Sequence, residues 1–600
     1  MKKNKFLFSL ISLFAVLSLS SCTNSGINEA GSAEEVTTIN ENGAVNLDDG
    51  SIRMELTTLE AARLMGNGIN LSNTMEAYGR ASMGTQRPVN FYETHWGQPE
   101  TTQEIINFLK DSGFDSLRIP VAWTNVMDFE TGDYTIREDY LDRVEEITHY
   151  ARNAGMYVHI NDHWDGGWWG MFGSANPDTR KEAMELYIAM WTQIAERFKH
   201  FSDYVIFESA NEELGFRLND TDIAKDSGYL DDDACFEMTN QINQAFVDTV
   251  RGTGGNNAYR MLSIAGFNTN INLTCDERFK MPSDTVDGKL FIKVHYYDPD
   301  GYCINVSLSS WGTEKDYAYM NDTLKKMQQF TRMGYGVIFG EYAVMVDRDG
   351  QPKKNTLDWH KNFLNNMDYY GYHPMLWDTS QFYVRHDLTY LSDDFAEFYK
   401  NRSLSARALM THEEIEDEAY LAIRASLSLA RDAGRLPDDV AMAWLMYNSG
   451  DWMVIYSVGD DYSPESKSEG VIANDVEITG PGIYTVSLDF TGSFDGFANG
   501  VVFSAVAIAN GEALFPDYVI DIIDIEINGE QYELNAKPYT ASDDGKTTRV
   551  NLYNHWVTAI PDDIRTADGL ADGATPMPID PEALGQVRTI SVTFDFRPAE

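Results

Sequence analysis

The sequence predicts a (β/α)8 barrel over residues 53–402, followed by an all-β sandwich over residues 436–600. Three observations support this α/β prediction. Short apolar runs alternate eight times with helical segments, and polar and aromatic residues follow those runs. Beyond residue 435 the chain changes to alternating strands broken by Gly, Pro, Asn and Asp. Strict alternation of strand and helix favours a closed parallel barrel, whose functional side chains gather at the carboxyl ends of the strands.

The first 21 residues predict an export signal. Lys2, Lys3 and Lys5 precede an apolar run from Phe6 to Leu19, as in a signal peptide. The run ends in Leu-Ser-Ser-Cys22, which resembles the bacterial lipobox and implies a lipid on Cys22. An N-terminal transmembrane helix is the alternative, but the run is short for a bilayer. We therefore expect an exported bacterial lipoprotein, on the outer membrane or cell surface, that meets the membrane only through this lipid.

Residues 22–52 are rich in Asn, Ser, Gly, Thr and Glu, which predicts a flexible linker. The 600-residue chain contains 46 Lys and Arg against 93 Asp and Glu, a formal net charge of -47. Such a surface repels phosphate backbones, so nucleic acid is not an expected partner, whereas a neutral sugar polymer meets no such repulsion. The aromatic content of 12% suits sugar binding, although most of these rings belong to the core. We expect a monomer.

The three remaining cysteines are Cys235, Cys275 and Cys303, and none has the spacing of a zinc site. One disulfide and three free thiols are both compatible with the sequence. No His/Asp cluster has metal-ligand spacing, so we expect neither a metal nor an organic cofactor.

The predicted strands and helices divide the barrel region into regular units. The eight strand candidates are Leu64–Leu71, Ser116–Val121, Met156–Asn161, Tyr204–Glu208, Arg260–Ala265, Leu290–Tyr296, Gly336–Glu341 and Pro374–Trp377. One helix spans Thr101–Asp111, with a capping box formed by Thr101 and Glu104 and an end at Gly113. The others span Asp139–Asn153, Lys181–Lys199, Glu237–Arg251, Asp316–Met333 and Thr356–Tyr369, and residues 403–435 predict a helical connector.

The residues at the carboxyl ends of these strands, and directly after them, are polar and aromatic. They include Asn70, Arg118, His163, Trp168, Trp169, Asn211, Glu212, His295, Tyr297, Glu341 and Trp377. Hydrolysis of a glycosidic bond with retained configuration requires two carboxyl groups about 5–5.5 Å apart, one protonated and one ionised. Strands four and seven lie on opposing parts of a barrel wall, so Glu212 and Glu341 can face each other. An arginine such as Arg118 beside one carboxylate would favour its ionised form, and Tyr297 could hydrogen-bond the same group.

Several ordered motifs resemble glycoside hydrolase family 5, and most closely its subfamily 4 of endo-β-1,4-glucanases and xyloglucanases. The motifs are Met65–Thr74, Glu93–Pro99, Arg118–Trp123, Phe207–Glu212, His295–Tyr297 and Gly340–Tyr342, within residues 55–400. The resemblance implies that Glu212 is the acid/base and Glu341 the nucleophile. It also implies a polar shell of Arg118, His163, Asn211, His295 and Tyr297, and an aromatic platform at Trp377.

The resemblance implies a retaining endo-acting hydrolase of β-1,4-glucans, which include cellulose-like chains, mixed-linkage glucan and xyloglucan. Two positions depart from the family pattern: Ser72-Asn73-Thr74 replaces Gly-Asn-Thr, and His163-Trp164 replaces His-His. A β-mannanase, a strict xyloglucanase and a non-catalytic glycan-binding lipoprotein remain alternatives. Glu208 could be either a salt-bridged barrel residue or a third catalytic acid, and we expect the former.

Further aromatic residues are candidates for sugar contacts. Asn70 and Trp96 belong to the predicted substrate wall, and Trp168 and Trp169 follow two glycines in a loop, where exposure and packing are equally compatible with the sequence. In the C-terminal module, Trp444, Tyr447, Trp452 and Trp556 could stack on sugar rings. Trp444 and Trp452 also fit the apolar alternation of a core, so the module either binds sugar or serves as a passive support.

Overall fold

The computed structural model describes residues 47–220, 229–305, 307–433, 436–457, 462, 467–542 and 544–599. The predicted signal peptide, Cys22 and most of the linker lie outside the described residues. No helix among the described residues combines the length and apolar character needed to cross a bilayer. Cys235, Cys275 and Cys303 are free thiols, which resolves the alternative that the sequence leaves open.

Eight parallel strands form a closed barrel, paired in chain order from β1 to β8 with β8 returning to β1. They are β1 (Gly68–Asn70), β2 (Ser116–Ile119), β3 (Tyr157–Asn161), β4 (Val205–Glu208), β5 (Leu262–Ala265), β6 (Leu290–Tyr296), β7 (Gly336–Tyr342) and β8 (His373–Leu376). All their residues are buried, as expected for strands covered on both faces. The predicted barrel is therefore confirmed, with each strand inside or within one residue of its candidate run.

Helices cover the outside of the barrel and extend beyond it. They are α1 (Thr58–Leu64), α2 (Arg80–Met83), α3 (Val89–Glu93), α4 (Gln103–Asp111), α5 (Glu138–Asn153), α6 (Pro177–Phe198), α7 (Asp232–Gly252), α8 (Ile271–Thr274), α9 (Asp300–Cys303), α10 (Glu314–Lys325), α11 (Gln328–Arg332), α12 (Thr356–Tyr370), α13 (Asp393–Arg402), α14 (His412–Ala433) and, in the C-terminal module, α15 (Gly511–Leu514). The helix predicted over Asp316–Met333 is divided into α10 and α11.

The start of α4 differs from the prediction. Thr102, rather than Thr101, is the N-cap, and its hydroxyl accepts a hydrogen bond from the backbone N–H of Ile105. Thr101 lies one residue outside, where its N–H donates to the buried carboxylate of Glu93 at 2.7 Å. The predicted capping box is wrong because this long-range hydrogen bond holds Thr101, and its neighbour can cap the helix equally well. The predicted end is correct, since Gly113 adopts a φ of 100° just after the C-cap.

The connector forms the long helix α14, which packs along the barrel beside α12 and α10. Arg63 of α1 pairs with Glu416, and Arg431 pairs with Glu314 of α10 at 2.6 Å. These exposed ion pairs fix the position of α14 more than they add stability.

The C-terminal module contains two main antiparallel sheets. Its strands, together with a small β9–β10 hairpin that follows the barrel, are β9 (Tyr383–Val384), β10 (Thr389–Tyr390), β11 (Ala441–Asn448), β12 (Ile455–Tyr456), β13 (Ile472–Asn474), β14 (Val476–Ile478), β15 (Gly482–Asp489), β16 (Ala498–Asn499), β17 (Phe503–Ala509), β18 (Tyr518–Ile527), β19 (Glu530–Gln531), β20 (Thr540–Ala541), β21 (Thr548–Asn554), β22 (Gln586–Val587) and β23 (Thr589–Pro598). One sheet has the order β12-β11-β17-β21-β20, and the other β13-β15-β23-β18-β19. The predicted all-β module is confirmed.

Side chains from both sheets share one hydrophobic core. Trp444 and Tyr447 are fully buried in it, so neither is available to stack on a sugar. Trp452 and Trp556, in contrast, are about half exposed.

Candidate active site

The carboxyl ends of β4, β6 and β7 bring two glutamates and a histidine together at the mouth of the barrel. One ligand atom each of Glu212, His295 and Glu341 lie within 4.8 Å of one another. The Nδ1 atom of His295 is 2.8 Å from Oε1 of Glu212 and 3.5 Å from Oε2 of Glu341. The structure therefore brings Glu212 and Glu341 together as predicted. Their separation matches the short carboxyl spacing of retaining glycosidases rather than the wider spacing of inverting ones.

A β-bulge aims Glu341 at the centre of the barrel. Along β7, Phe339 points outward and packs on Phe363 of α12, so simple alternation would send residue 341 outward too. Val294 of β6 pairs with Phe339, and the next residue, His295, pairs with Glu341, which leaves Gly340 as an extra residue. This insertion rotates Glu341 onto the same face as His295. A Cβ atom at position 340 would lie 2.7 Å from the Lys293 side chain, which explains the glycine before Glu341.

Both oxygens of Glu341 accept hydrogen bonds from fixed donors. Arg118 donates from Nη1 to Oε1 at 2.8 Å, and the hydroxyl of Tyr297 donates to Oε2 at 2.9 Å. Burial, reinforced by the charge of Glu341, raises the pKa of Tyr297 well above its usual range, so the phenol keeps its proton. Charge-assisted hydrogen bonds from a guanidinium and a hydrogen bond from a phenol hold this buried carboxyl group in one orientation.

The surroundings of Glu212 are more open. Its side chain is 30% exposed, whereas that of Glu341 is 7% exposed. One oxygen contacts His295, and the other accepts from Nη1 of Arg217 at 3.0 Å. Burial lowers the pKa of His295 to about 3, so this imidazole is neutral. Glu212 thus combines contact with solvent, a neutral imidazole neighbour and one partly exposed cation.

Beneath the two glutamates, a buried ion-pair network contains Arg118, Glu208 and Lys293. Arg118 forms a two-point ion pair with Glu208 at 2.7 and 2.9 Å, and Lys293 Nζ lies 2.7 Å from the same carboxylate. Burial would raise the pKa of Glu208, but the charges of Arg118 and Lys293 hold it well below its usual range. Glu208 is therefore a permanently ionised structural residue, as predicted, and not a third acid.

The amide side chains of Asn70 and Asn211 also contact Arg118. The Oδ1 atom of each accepts a hydrogen bond from the guanidinium at 2.8 Å. Asn70 is 1% exposed, and its Nδ2 group donates to the main-chain carbonyls of Gly340 and Leu376. The prediction that Asn70 contacts the substrate is therefore wrong, because barrel carbonyls already engage its amide. For Asn211, the contact through Oδ1 turns Nδ2 away from Arg118, leaving it suitable for a sugar hydroxyl.

Trp377 and His163 form an aromatic platform at the carboxyl ends of β8 and β3. Trp377 is partly exposed at the end of β8, and its ring is nearly parallel to that of His163, with centroids 5.6 Å apart and planes 7° apart. Burial lowers the pKa of His163 well below its usual range, so it is a neutral hydrogen-bonding ring. Trp96 is 41% exposed on a loop whose neighbours contact the chain after β8. Trp377 and Trp96 are therefore open to a ligand, whereas His163 is largely buried, and the sugar-binding roles of all three stay predictions.

Trp168 and Trp169 do not belong to this exposed surface. Each is 1% exposed, and their rings stack with centroids 4.6 Å apart. Phe172 and Tyr187 pack around them beneath the loop that follows β3. The predicted sugar contacts of these two tryptophans are therefore wrong, since other parts of the chain cover both rings.

Sequence reasoning missed three features of the site. Lys293 lies two residues before His295 on the same strand face, so a lysine inside an apolar strand was the available signal. Arg217 lies in a helical turn, Phe216–Asn219, and no local pattern connects it to Glu212. Tyr78 and Trp164 are partly exposed and meet edge to face with centroids 5.6 Å apart. Together they add a second aromatic wall.

A cavity of about 180 Å³ adjoins Glu212. It is bordered by His295, Tyr297 and the loop Asn268–Asn272 that follows β5. The amide oxygens of Asn268, Asn270 and Asn272 accept hydrogen bonds from other parts of the protein, which fixes this wall of the cavity.

Among the described residues, Glu212, His295 and Glu341 form the one group whose donor atoms lie close enough to hold a metal ion. Two guanidinium groups already contact these carboxylates, so a bound cation would face their repulsion. The arrangement suits direct carboxylate chemistry better.

Comparison with known proteins agrees with this geometry. Residues 81–382 match the family model described as cellulase (glycosyl hydrolase family 5). The chain is 33% identical over 329 residues to a xyloglucan-specific endo-β-1,4-glucanase of Bacteroides ovatus, an alignment that covers 52% of this chain and 62% of that protein. It is 32% identical over 328 residues to endoglucanase A of Paenibacillus barcinonensis, covering 50% and 76% of the two chains.

A similar solved structure is a broad-specificity endoglucanase of family 5, subfamily 4, from an uncultured bovine rumen ciliate. The TM-score is 0.51 and the identity 30%, with 58% of this chain and 99% of that chain covered.

The hydrogen bond from Tyr297 to Glu341 predicts the behaviour of Tyr297→Phe. This change removes one donor to a carboxylate without altering ring volume, and such a bond contributes about 1.5–3 kcal/mol. We expect kcat to fall by roughly 10- to 100-fold, with the midpoint of thermal unfolding little changed. Steady-state kinetics and calorimetry test this expectation. Unchanged kcat would show that the hydroxyl does not act on Glu341 during turnover.

The ion pair between Arg217 and Glu212 predicts a change in pH dependence. In Arg217→Ala, loss of the nearby positive charge makes it easier for Glu212 to retain its proton. We expect the alkaline limb of the profile of kcat/KM against pH to move to higher pH, while Arg217→Lys keeps it near the wild-type position. A profile for Arg217→Ala that coincides with the wild type would contradict this role.

The raised pKa of Glu213 predicts that the free energy of unfolding depends on pH. Its Oε2 accepts from the N–H of Asn211 at 2.9 Å, and burial raises its pKa from 4.5 to about 7. A raised carboxyl pKa adds stability that is fully present below the unfolded value and is lost as pH rises through the folded value. Relative to Glu213→Gln, the wild type should lose unfolding free energy between pH 4.5 and about 7. Urea unfolding of both proteins at several pH values in that window tests this prediction. The same pH dependence of the unfolding free energy in both proteins would exclude it.

Proposed function

The chain belongs to glycosyl hydrolase family 5, the cellulase family, and we propose that it hydrolyses internal β-1,4 linkages of glucan chains with retained anomeric configuration. One observation carries the proposal: two carboxyl groups approach within 4.8 Å at the barrel mouth, and a guanidinium and a phenol hold one of them in a fixed orientation. This asymmetry assigns Glu341 as the nucleophile and Glu212 as the acid/base.

In the first step, Glu341 attacks the anomeric carbon, and the bond from that carbon to the glycosidic oxygen breaks. Glu212 donates its proton to the departing oxygen, which leaves as the hydroxyl of the shortened chain. Arg118 and Tyr297 orient the attacking carboxylate. The amide of Asn211 lies beside Arg118 at the position where a donor to the sugar 2-hydroxyl would strengthen the transition state.

In the second step, Glu212 accepts a proton from water, and the resulting hydroxide attacks the same carbon. The bond to Glu341 breaks and restores its carboxylate, while the proton taken from water leaves Glu212 protonated for the next cycle. Two inversions at one carbon give net retention. Because Glu212 is the more exposed of the two glutamates, water can reach it once the leaving group departs.

The barrel mouth favours a polymer of neutral sugars. Trp377 and His163 form one stacked surface, and Tyr78 and Trp164 form a second. Two stacked aromatic surfaces that are partly open to solvent suit an extended glucan chain that occupies several subsites, and hence endo cleavage. The relative from Bacteroides ovatus is named as xyloglucan-specific. Strict xyloglucanase activity is thus the second candidate, and mannan hydrolysis a third.

A non-catalytic glycan-binding role is less consistent with the site. Arg118, Tyr297 and the bulge at Gly340 serve the orientation of Glu341, and a protein that only binds glycans has no use for that arrangement.

The sequence supports a location for this activity. The basic start, the apolar run and the lipobox-like Leu-Ser-Ser-Cys22 support export and attachment of lipid at Cys22. An acidic chain of net charge -47 has little attraction for anionic lipid, so such an anchor would hold it at the surface without further membrane contact. Cys22→Ser should release the protein from the membrane fraction and abolish labelling by a fatty-acid analogue.

Chemical rescue with azide can distinguish the roles of the two glutamates. Glu341→Gly and Glu212→Ala should each lose on the order of 10⁴-fold in kcat on glucan. On an aryl cellobioside, azide should restore turnover of Glu341→Gly with an inverted glycosyl azide as product. With Glu212→Ala, azide should give a glycosyl azide of retained configuration. NMR of the products distinguishes the two outcomes, and interchange of these configurations would reverse the assignment.

Exposed Glu104 of α4 supplies a matched control, since Glu104→Gln should match the wild type.

Substrate choice is tested on mixed-linkage glucan, xyloglucan, xylan and mannan. Early release of mid-length fragments with retained configuration supports endo cleavage. Release of monosaccharide alone, or an inverted product from the wild type, would exclude the proposal.

A further inference from the structure

The C-terminal module exposes aromatic side chains at one end of its first sheet. Trp452 and Trp556 are 49% and 51% exposed, with ring centroids 5.8 Å apart and planes inclined by 48°. His555 packs on Trp556 at 4.0 Å, and Phe503 lies at 6.3 Å. We call these four residues the aromatic ledge. Clusters of exposed rings on a soluble domain mark binding surfaces.

Strand register places the members of the ledge together. Asn448 at the end of β11 pairs with Phe503 at the start of β17, which pairs with Asn554 at the end of β21. The chain after β11 and the chain after β21 therefore leave the sheet at the same end. Trp452 and Trp556 follow these two strand ends, so the fold itself makes them neighbours.

The turn that carries Trp452 is held rigidly. The hydroxyl of Ser449 donates to Asp451 at 2.6 Å, and the N–H of Trp452 donates to the carbonyl of Ser449 at 3.0 Å. Gly450 donates to the carbonyl of Asn499 at 2.8 Å, which ties the turn to a neighbouring strand. Trp452 has a φ of 61°, in the left-handed region that a large side chain rarely occupies. The hydrogen bonds hold a strained backbone that directs the indole into solvent.

Folding of the module does not require these exposed rings. Trp444, in the middle of β11, is fully buried in the core. Leaving two more indoles half in water forgoes part of the stabilisation that their burial would give, since each ring can bury roughly 150–250 Å². A ligand that covers the rings would recover it.

We propose that the ledge binds a single β-1,4-linked glucan chain. Indole faces stack on the C–H faces of pyranose rings, and the separation of the two indoles suits neighbouring sugars along one chain. Rings inclined by 48° follow a twisted, dissolved chain better than the flat face of a crystal. The net charge of -47 disfavours an anionic polymer. The identity of the polymer rests on the proposed function of the barrel, which acts on the same chains.

The test uses the full chain carrying Glu341→Gln, which leaves polymer intact, with and without Trp452→Ala or Trp556→Ala. Native electrophoresis in gels containing mixed-linkage glucan or xyloglucan measures retardation against gels without polymer. We expect each ledge variant to bind about tenfold more weakly. Tyr420→Ala, on exposed α14, supplies a matched control that should bind like its parent.

A second measurement separates the ledge from the barrel. In the active protein, the ledge variants should hydrolyse cellotetraose like the wild type but show a raised KM on polymer. Unchanged retardation and unchanged KM, with activity intact, would overturn the ledge proposal alone. Loss of a dimer in sedimentation by the ledge variants would assign the ledge to a second copy of the chain and equally overturn it. An inactive wild type that still binds through the ledge would instead count against the proposed function.

Discussion

The whole site depends on one buried guanidinium. Arg118 is fully buried on β2, and its five N–H groups reach Glu208 twice, and Glu341, Asn70 and Asn211 once each. These partners belong to β1, β4, β7 and the loop after β4, so one side chain fixes the mutual position of four parts of the barrel. Lysine could not replace it, because an ammonium group lacks the planar fork of donors. Without Arg118, two carboxylates would remain buried with too little positive charge.

The charges around Arg118 explain why the two outer glutamates differ. Arg118 and Lys293 balance Glu208 and Glu341, and His295 remains neutral because burial lowers its pKa to about 3. Neither of these two buried cations pairs with Glu212. It is more exposed than Glu341, and the only cation paired with it among the described residues is the partly exposed Arg217, whereas the neighbouring His295 is neutral. The division of roles therefore follows from burial and charge as much as from strand position.

Much of this arrangement follows from local sequence, and the exceptions have a common physical cause. The barrel strands are predictable because apolar runs of strand length have sharp polar ends, and Asn211-Glu212 and Gly340-Glu341 stand at two of those ends. Burial in loops is not predictable in this way. Trp168 is buried because Phe172 and Tyr187 pack around it. The N-cap of α4 depends on the hydrogen bond between Thr101 and Glu93. Arg217 contacts Glu212 only because of the folded path of its loop. Each of these outcomes is decided by contacts absent from the local pattern.

The misassigned tryptophans nevertheless bear on specificity through the loop that they support. After β3, Asp165, Gly166 and Gly167 all adopt positive φ, and Asp165 is held by hydrogen bonds from the hydroxyl and N–H of Thr124. A Cβ atom at Gly166 would collide with the ring of Tyr78 at 2.0 Å, so the glycine lets the loop approach that ring. Trp168 and Trp169 anchor the far side of the loop in the core. Because such a strained backbone persists only when its surroundings over-determine it, the buried pair keeps Trp164 against Tyr78. Trp168 and Trp169 therefore act on this wall of the barrel mouth from the core, by positioning Trp164 rather than by facing the open groove.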